Sequence, residues 1–120
     1  MPSNLPQTAP GQPNQLLMVV TSLPNMEVAK TLARSLVEQK IAACVQLSGG
    51  IQSIYRWEGK ICEEPEILLS AKTTLNQWPT ISSFIQKNHP YDLPEIVAFT
   101  PEQYLQQYSE WVSAEVNSRL

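Results

Sequence analysis

Histidine and cysteine are the side chains that most often do chemistry near neutral pH. This chain of 120 residues has one histidine, His89, and two cysteines, Cys44 and Cys62. A serine or cysteine triad would need His89 as its base, and no motif joins it to a nucleophile. There is no Gly-x-Ser-x-Gly elbow, no phosphate-binding Walker loop, no dinucleotide fingerprint and no His-Glu-x-x-His. No Cys or His stands at the short spacings of a zinc site. An enzyme is not indicated. Any chemistry must come from side chains that the fold gathers from distant parts of the chain.

The element that does most of that gathering is the stretch from Ala42 to Thr73, centred on Tyr55-Arg56-Trp57-Glu58-Gly59-Lys60. Two runs rich in β-branched and aromatic residues flank a Glu-Gly pair, the pattern of a β-hairpin turning on a glycine that tolerates positive φ. With Glu58 and Gly59 as the turn, Trp57 faces Lys60, Tyr55 faces Cys62, and pairing extends outward until Val45 meets Lys72. Each arm is then about a dozen residues, roughly 40 Å at ~3.3 Å per residue, against a diameter of roughly 35 Å for a domain of this size. Such a hairpin overhangs its own domain, and its edges need a partner. Gly49-Gly50 inside the arm suggests a bulge that shifts the register beyond it. The same register keeps Cys44, near Thr73, too far from Cys62 for a disulfide, so two free thiols are expected.

Residues 1–14 carry Pro2, Pro6, Pro10 and Pro13 among polar residues and read as a disordered tail, and residues 15–120 read as one domain. Leu16-Leu17-Met18-Val19-Val20-Thr21 is a continuous apolar run, a strand buried on both faces. Asn25 then caps a helix whose Ala29, Leu32, Ala33, Leu36 and Val37 share one face. The hairpin supplies the second and third strands. Trp78, Ile81, Phe84 and Ile85 have helical spacing in a segment that starts late, because of Pro79, and stops by Asn88, because His89 precedes Pro90. Pro94 to Phe99 reads as a fourth strand. Thr100-Pro101-Glu102-Gln103 reads as the capped start of a third helix, with a stripe of Tyr104, Leu105, Tyr108, Trp111 and Val112; Trp111 is expected in the core. The order β-α-β-β-α-β-α predicts an α+β fold: a ferredoxin-like split β-α-β sandwich with an antiparallel sheet, a long hairpin and an extra C-terminal helix.

A net charge of −3, with 42% hydrophobic and 16% charged residues, describes an ordinary globule with no basic patch for nucleic acid. No apolar run approaches a membrane span, and the N-terminus lacks the pattern of a signal peptide. A cytoplasmic protein is the expectation.

Ala42-Ala43-Cys44-Val45, Tyr55-Arg56-Trp57-Glu58-Gly59-Lys60-Ile61, Lys72-Thr73, His89-Pro90-Tyr91-Asp92-Leu93-Pro94-Glu95-Ile96, and finally Tyr108 with Trp111 occur in that order. Together they resemble the successive motifs of the CutA family of divalent-cation tolerance proteins, over about residues 16 to 115. Pro65, Cys62 and Pro79 depart from that family's usual pattern. The resemblance implies a ferredoxin-like fold, a homotrimer joined through its hairpins, and a link to copper and other divalent metals. Carried over, it points to Cys44, His89 and Glu95 as metal ligands, because thiolate and imidazole suit Cu(II) and a carboxylate can complete the set. Tyr55, Trp57, Glu66, Lys72 and Tyr91 are the candidates for an inter-subunit cleft or a ligand contact, Glu66 and Lys72 because they share a strand-face parity. Each residue has a plainer reading beside this one: core packing for Cys44, a turn-fixing histidine for His89, an ion pair for Lys72 and Glu66, subunit packing for Tyr55 and Trp57.

Two functions follow as expectations, beside a purely structural module that holds a partner protein with its proline-rich tail exposed. One is a copper-binding protein of divalent-cation tolerance. The other, by analogy of fold alone, is a trimeric sensor that holds a nucleotide or other small molecule between subunits, using Lys72, His89 and Tyr91.

Overall fold

The apolar run Leu16–Leu23 forms the interior strand β1, and its alternate residues Leu17, Val19, Thr21 and Leu23 are fully buried on one face of a sheet. The computed structural model describes residues 11–117. The expected tail therefore lies mostly outside the described residues. Its last part, residues 11–14, is a turn in which the Pro13 carbonyl accepts a hydrogen bond from the Asn76 backbone N–H at 3.0 Å.

After β1 comes α1, Met26–Glu38, opened by Asn25, whose Oδ1 accepts the Val28 N–H at 2.9 Å. Its buried stripe, Ala29, Leu32 and Leu36, packs on the sheet face that carries Val19, Leu69 and Ala71. The hairpin is β2, Cys44–Trp57, and β3, Lys60–Thr74. A short 3-10 turn, Leu75–Gln77, leads into α2, Trp78–Asn88. Pro79 sits in the first turn of that helix, where its missing N–H is harmless, so α2 starts earlier than expected. It stops at Asn88, as the His89-Pro90 pair requires: His89 is extended, with φ −88° and ψ 140°. The fourth strand, β4, is only Val97–Phe99. All pairings are antiparallel in the order β2-β3-β1-β4, and this is the ferredoxin-like architecture expected from the sequence.

Two expectations for the third helix need correcting. The third helix, α3, is Gln106–Glu115 and not a helix opened by Thr100-Pro101. The chain leaves β4 at the edge of the sheet, while α3 packs on β1 and β3 further in; residues 100–105 make that crossing in non-helical form. A side-chain cap is worth only ~1 kcal/mol and does not override such a connection. Trp111 is 45% exposed, because the stripe that α3 buries is centred on Ser109 and Val112.

The hairpin register shows how the site is built. Near the turn Trp57 faces Lys60 and Tyr55 faces Cys62, as expected, and the register shifts by one between Ser48 and Ile51. Beyond the shift the expected pairing of Val45 with Lys72 fails: Cys44 faces Lys72 and Val45 faces Ala71, because the bulge adds one residue to β2. Gly50, at φ +76°, supplies the backbone conformation that this bulge needs. Because side chains alternate along a strand, one extra residue changes which parity faces which side. Val45 and Leu47 therefore point toward α1, whereas Ser53, Tyr55 and Trp57 join Glu64 and Glu66 on the opposite face. The molecule measures 53 × 28 × 23 Å, with a radius of gyration of 15.7 Å, above the ~14 Å of a compact chain of this length.

Candidate functional site

The bulge places a row of cross-strand neighbours under the loop that follows α2, and a cleft of about 750 Å³ lies between them. Its strand wall is Ser53, Tyr55 and Trp57 of β2 with Glu64 and Glu66 of β3, and its loop wall is Tyr91 to Glu95.

Glu66 is the centre. It is 8% exposed, accepts the Ser53 hydroxyl at 2.6 Å on one carboxylate oxygen, and accepts the Tyr91 hydroxyl at 2.6 Å on the other. Beside it the Tyr55 hydroxyl donates to Glu64 at 2.9 Å. These bonds hold the phenolic protons in place: Tyr55 is pushed up to about 12, first by its bond to Glu64, and Tyr91 is raised by burial and then by its bond to Glu66. Both tyrosines stay neutral donors at physiological pH. Among the described residues the one ion pair is Arg34–Glu38, on the surface of α1, so the carboxylates of the cleft have no cation in contact. Glu64, Glu66, Asp92 and Glu95 all line it, and no lysine or arginine does.

His89 supports this wall from behind. Its Nε2 is 2.8 Å from the Ser22 carbonyl oxygen, and its Nδ1 is 3.2 Å from the Tyr91 backbone nitrogen. A carbonyl only accepts and an amide N–H only donates, which assigns the neutral ring with the proton on Nε2. Burial lowers the His89 pKa and so favours that neutral form. The ring also packs on Tyr91, with centroids 4.8 Å apart. Both nitrogens are engaged within the chain, and neither offers a free lone pair to a metal in this arrangement.

The expected metal set is accordingly dispersed. Glu95 lines the cleft, His89 lies behind it, and Cys44 faces Lys72, six residues along β3 from Glu66 and roughly 20 Å away at ~3.3 Å per residue. Cys44 sits beside Tyr108 of α3, whose hydroxyl is raised by burial and by the neighbouring thiol. Among the described residues no three His, Cys, Asp or Glu side chains come close enough together to hold one metal ion. Of the expected cleft set, Tyr55, Trp57, Glu66 and Tyr91 come together. Lys72 does not: it donates to Gln46, and it makes no ion pair with Glu66. Both cysteines are free thiols.

Ser53, Glu64 and Asp92 also line the cleft, with Ser22 and Ile54 beside them, and the sequence reading did not select them. Glu64 shares strand parity with Glu66, a signal that was present. Ser53 joins them only because of the bulge.

No helix among the described residues is long and apolar enough to cross a membrane. A solved relative from Archaeoglobus fulgidus, named a periplasmic divalent cation tolerance protein CutA, is 29% identical with a TM-score of 0.82, covering 86% of this chain and all of that one. The solved divalent cation tolerance protein of Thermus thermophilus superimposes with a TM-score of 0.83 over 86% of this chain and 100% of its own, at 38% identity. In sequence, the divalent-cation tolerance protein CutA of Thermus thermophilus is 41% identical over 95 residues, 79% of this chain and 92% of that protein. Mouse protein CutA is 39% identical over 114 residues, 92% of this chain but 64% of its own length. The profile of the CutA1 divalent ion tolerance proteins matches residues 17–115, and the chain belongs to that family.

Proposed function

We propose that this chain is one subunit of a homotrimer that binds divalent cations, Cu(II) among them, in the acidic cleft, and that it serves divalent-cation tolerance by binding and not by catalysis. The observation that carries this reading is the lining itself: Glu64, Glu66, Asp92 and Glu95 face one space with no basic side chain among them. Carboxylates suit hard and borderline divalent ions. An ion held there keeps part of its water shell or takes further ligands from a neighbouring subunit.

The same lining argues against an anionic nucleotide. Lys72 is remote, His89 is neutral with both nitrogens engaged, and Tyr91 gives its proton to Glu66. With its only histidine so engaged, the chain has no free imidazole base, which supports a binding role. Free thiols suit a reducing compartment such as the cytoplasm.

Assembly is supported by the hairpin, whose Ile54, Tyr55, Trp57 and Ile61 are all exposed in the single chain. The CutA resemblance supplies the number three. Light scattering should give about three times 13.5 kDa, and a monomer that persists on concentration would remove the assembly from the proposal.

Calorimetry tests the ligand. Titration with Cu(II) should show binding that weakens about tenfold or more in an Asp92→Asn, Glu95→Gln double variant, the loss of two charged ligands, and titration with ATP should show no heat of binding. Nucleotide binding, or Cu(II) isotherms that do not change in the double variant, would overturn the reading.

A further inference from the structure

We infer that His89 is a proton-operated latch on the loop wall of the cleft: a proton added at Nδ1 releases the Tyr91 backbone, and with it the loop that carries Asp92 and Glu95. The effect on the site rests on the cation-binding reading of the cleft; the release of the loop stands without it.

Two bonds of opposite polarity meet on one ring. Nε2 donates to the Ser22 carbonyl of β1 at 2.8 Å, and Nδ1 accepts the Tyr91 N–H at 3.2 Å. Protonation turns Nδ1 into a donor, so two N–H groups then face each other where a hydrogen bond stood. The bond to Ser22 becomes charge-assisted and stronger. The ring therefore stays with β1, whose Ser22 and Leu23 are buried, and the loop yields. Both bonds are made within one subunit, so the latch does not depend on which surfaces assembly covers.

Tyr91 carries the movement to the site. Its ring packs on His89 with centroids 4.8 Å apart, and its hydroxyl donates to the buried Glu66 at 2.6 Å. Residues 91–96 form neither helix nor strand, so the bonds of Tyr91 are what position the Asp92 and Glu95 carboxylates against Glu66. Loss of the backbone bond leaves the hydroxyl bond to hold that wall, and the acidic groups no longer keep a fixed spacing.

The surrounding charges set the pH range. Glu66 of β3 favours the protonated ring, while burial opposes it and prevails, which places the switch below the ordinary value of 6.5. On the loop side Tyr91 stays a neutral phenol, β1 presents the Ser22 carbonyl, and α2 ends with Lys87 in its last turn. The latch is closed at neutral pH and opens in acid.

His89 is the one histidine of the chain, so its ring signals in nuclear magnetic resonance of the assembled, full-length protein are unambiguous. At pH 7.5 they should show the neutral ring with the proton on Nε2. As the ring titrates toward pH 5, the exchange protection of the Tyr91 amide, taken relative to an unstructured peptide at each pH, should fall roughly 2- to 10-fold, the factor of one net hydrogen bond. His89→Gln keeps the donor to Ser22 and removes the acceptor, so it should show the low protection at every pH. A ring that titrates while Tyr91 protection stays constant would overturn the latch, as would a ring that remains neutral at pH 5.

Calorimetry with Cu(II) reads the regulation. Wild type should bind roughly 2- to 10-fold more tightly than His89→Gln at pH 7.5, and the two should converge toward pH 5, the carboxylates being common to both. Cu(II) binding with a constant ratio between the two proteins would overturn the regulation and leave the cation reading standing. A Tyr91 amide released in acid in a protein that does not bind Cu(II) would overturn the cation reading and leave the latch.

Discussion

Replacing His89 with alanine should cost stability, because the ring is a support of the fold with both nitrogens in use. It removes the hydrogen bonds to the Ser22 carbonyl and from the Tyr91 N–H. Each such bond contributes ~1 kcal/mol net, and a buried group left without a partner costs ~1–3 kcal/mol. Ser22 is buried, whereas Tyr91 is only partly so, which makes the carbonyl the larger loss. The total is about 2–4 kcal/mol, or a fall of roughly 10–20 °C in Tm for a domain of this size. His89→Gln is the informative companion: its amide nitrogen can still reach the Ser22 carbonyl while the bond from Tyr91 is lost, so roughly half of the cost should return. Urea and thermal unfolding at pH 7.5, at one fixed subunit concentration because assembly contributes to stability, would give both values. A Tm within ~3 °C of wild type for His89→Ala, combined with loss of Cu(II) binding, would refute this reasoning and make His89 a ligand.

The same ring sets a pH dependence. Burial holds the pKa of His89 below its ordinary value of 6.5, so below pH ~6.5 the unfolded chain binds more protons than the folded one and stability falls with pH. The His89 contribution is complete above the unfolded value and is lost as pH falls toward the folded one. The stability gap between wild type and His89→Gln should therefore narrow from pH 7.5 to 5.5, and a constant or widening gap would contradict the assignment. Removing residues through Pro13 takes the acceptor away from the Asn76 N–H and should cost ~1 kcal/mol, measurable as a fall of a few degrees in Tm, where a wholly disordered tail would show none. Gly50→Val places a β-branched residue at φ +76° and should cost ~1–2 kcal/mol or more. Because that bulge turns Ser53 and Tyr55 toward Glu66 and Glu64, it should also weaken cation binding in a titration.

Much of the fold was legible because local chemistry and the global arrangement agree. Glu58-Gly59 sets the turn and with it the pairs Trp57–Lys60 and Tyr55–Cys62. Asn25 starts α1, and Pro90 ends α2 by forcing His89 out of the helix. The register at Val45 was off by one because Gly49-Gly50 signals a bulge without saying on which side of it the count changes. The start of α3 was misread because Thr100-Pro101-Glu102-Gln103 has the form of a cap, and a cap cannot tell that the chain must first travel from the sheet edge to the opposite face. The cleft was half legible. Tyr55, Trp57, Tyr91 and Glu95 carry recognisable motifs and Glu66 was found from strand parity, whereas Ser53 depends on the bulge, and the bond of His89 Nε2 depends on the position of Ser22, sixty-seven residues earlier in the chain.

The measurement that bears most directly on the site is an anomalous-difference map from a crystal of the assembled protein soaked in Cu(II). A peak in the cleft, in contact with carboxylates from Glu64, Glu66, Asp92 or Glu95, is the expected result. A peak at the Cys44 thiol beside Tyr108, with the acidic cleft empty, would contradict it.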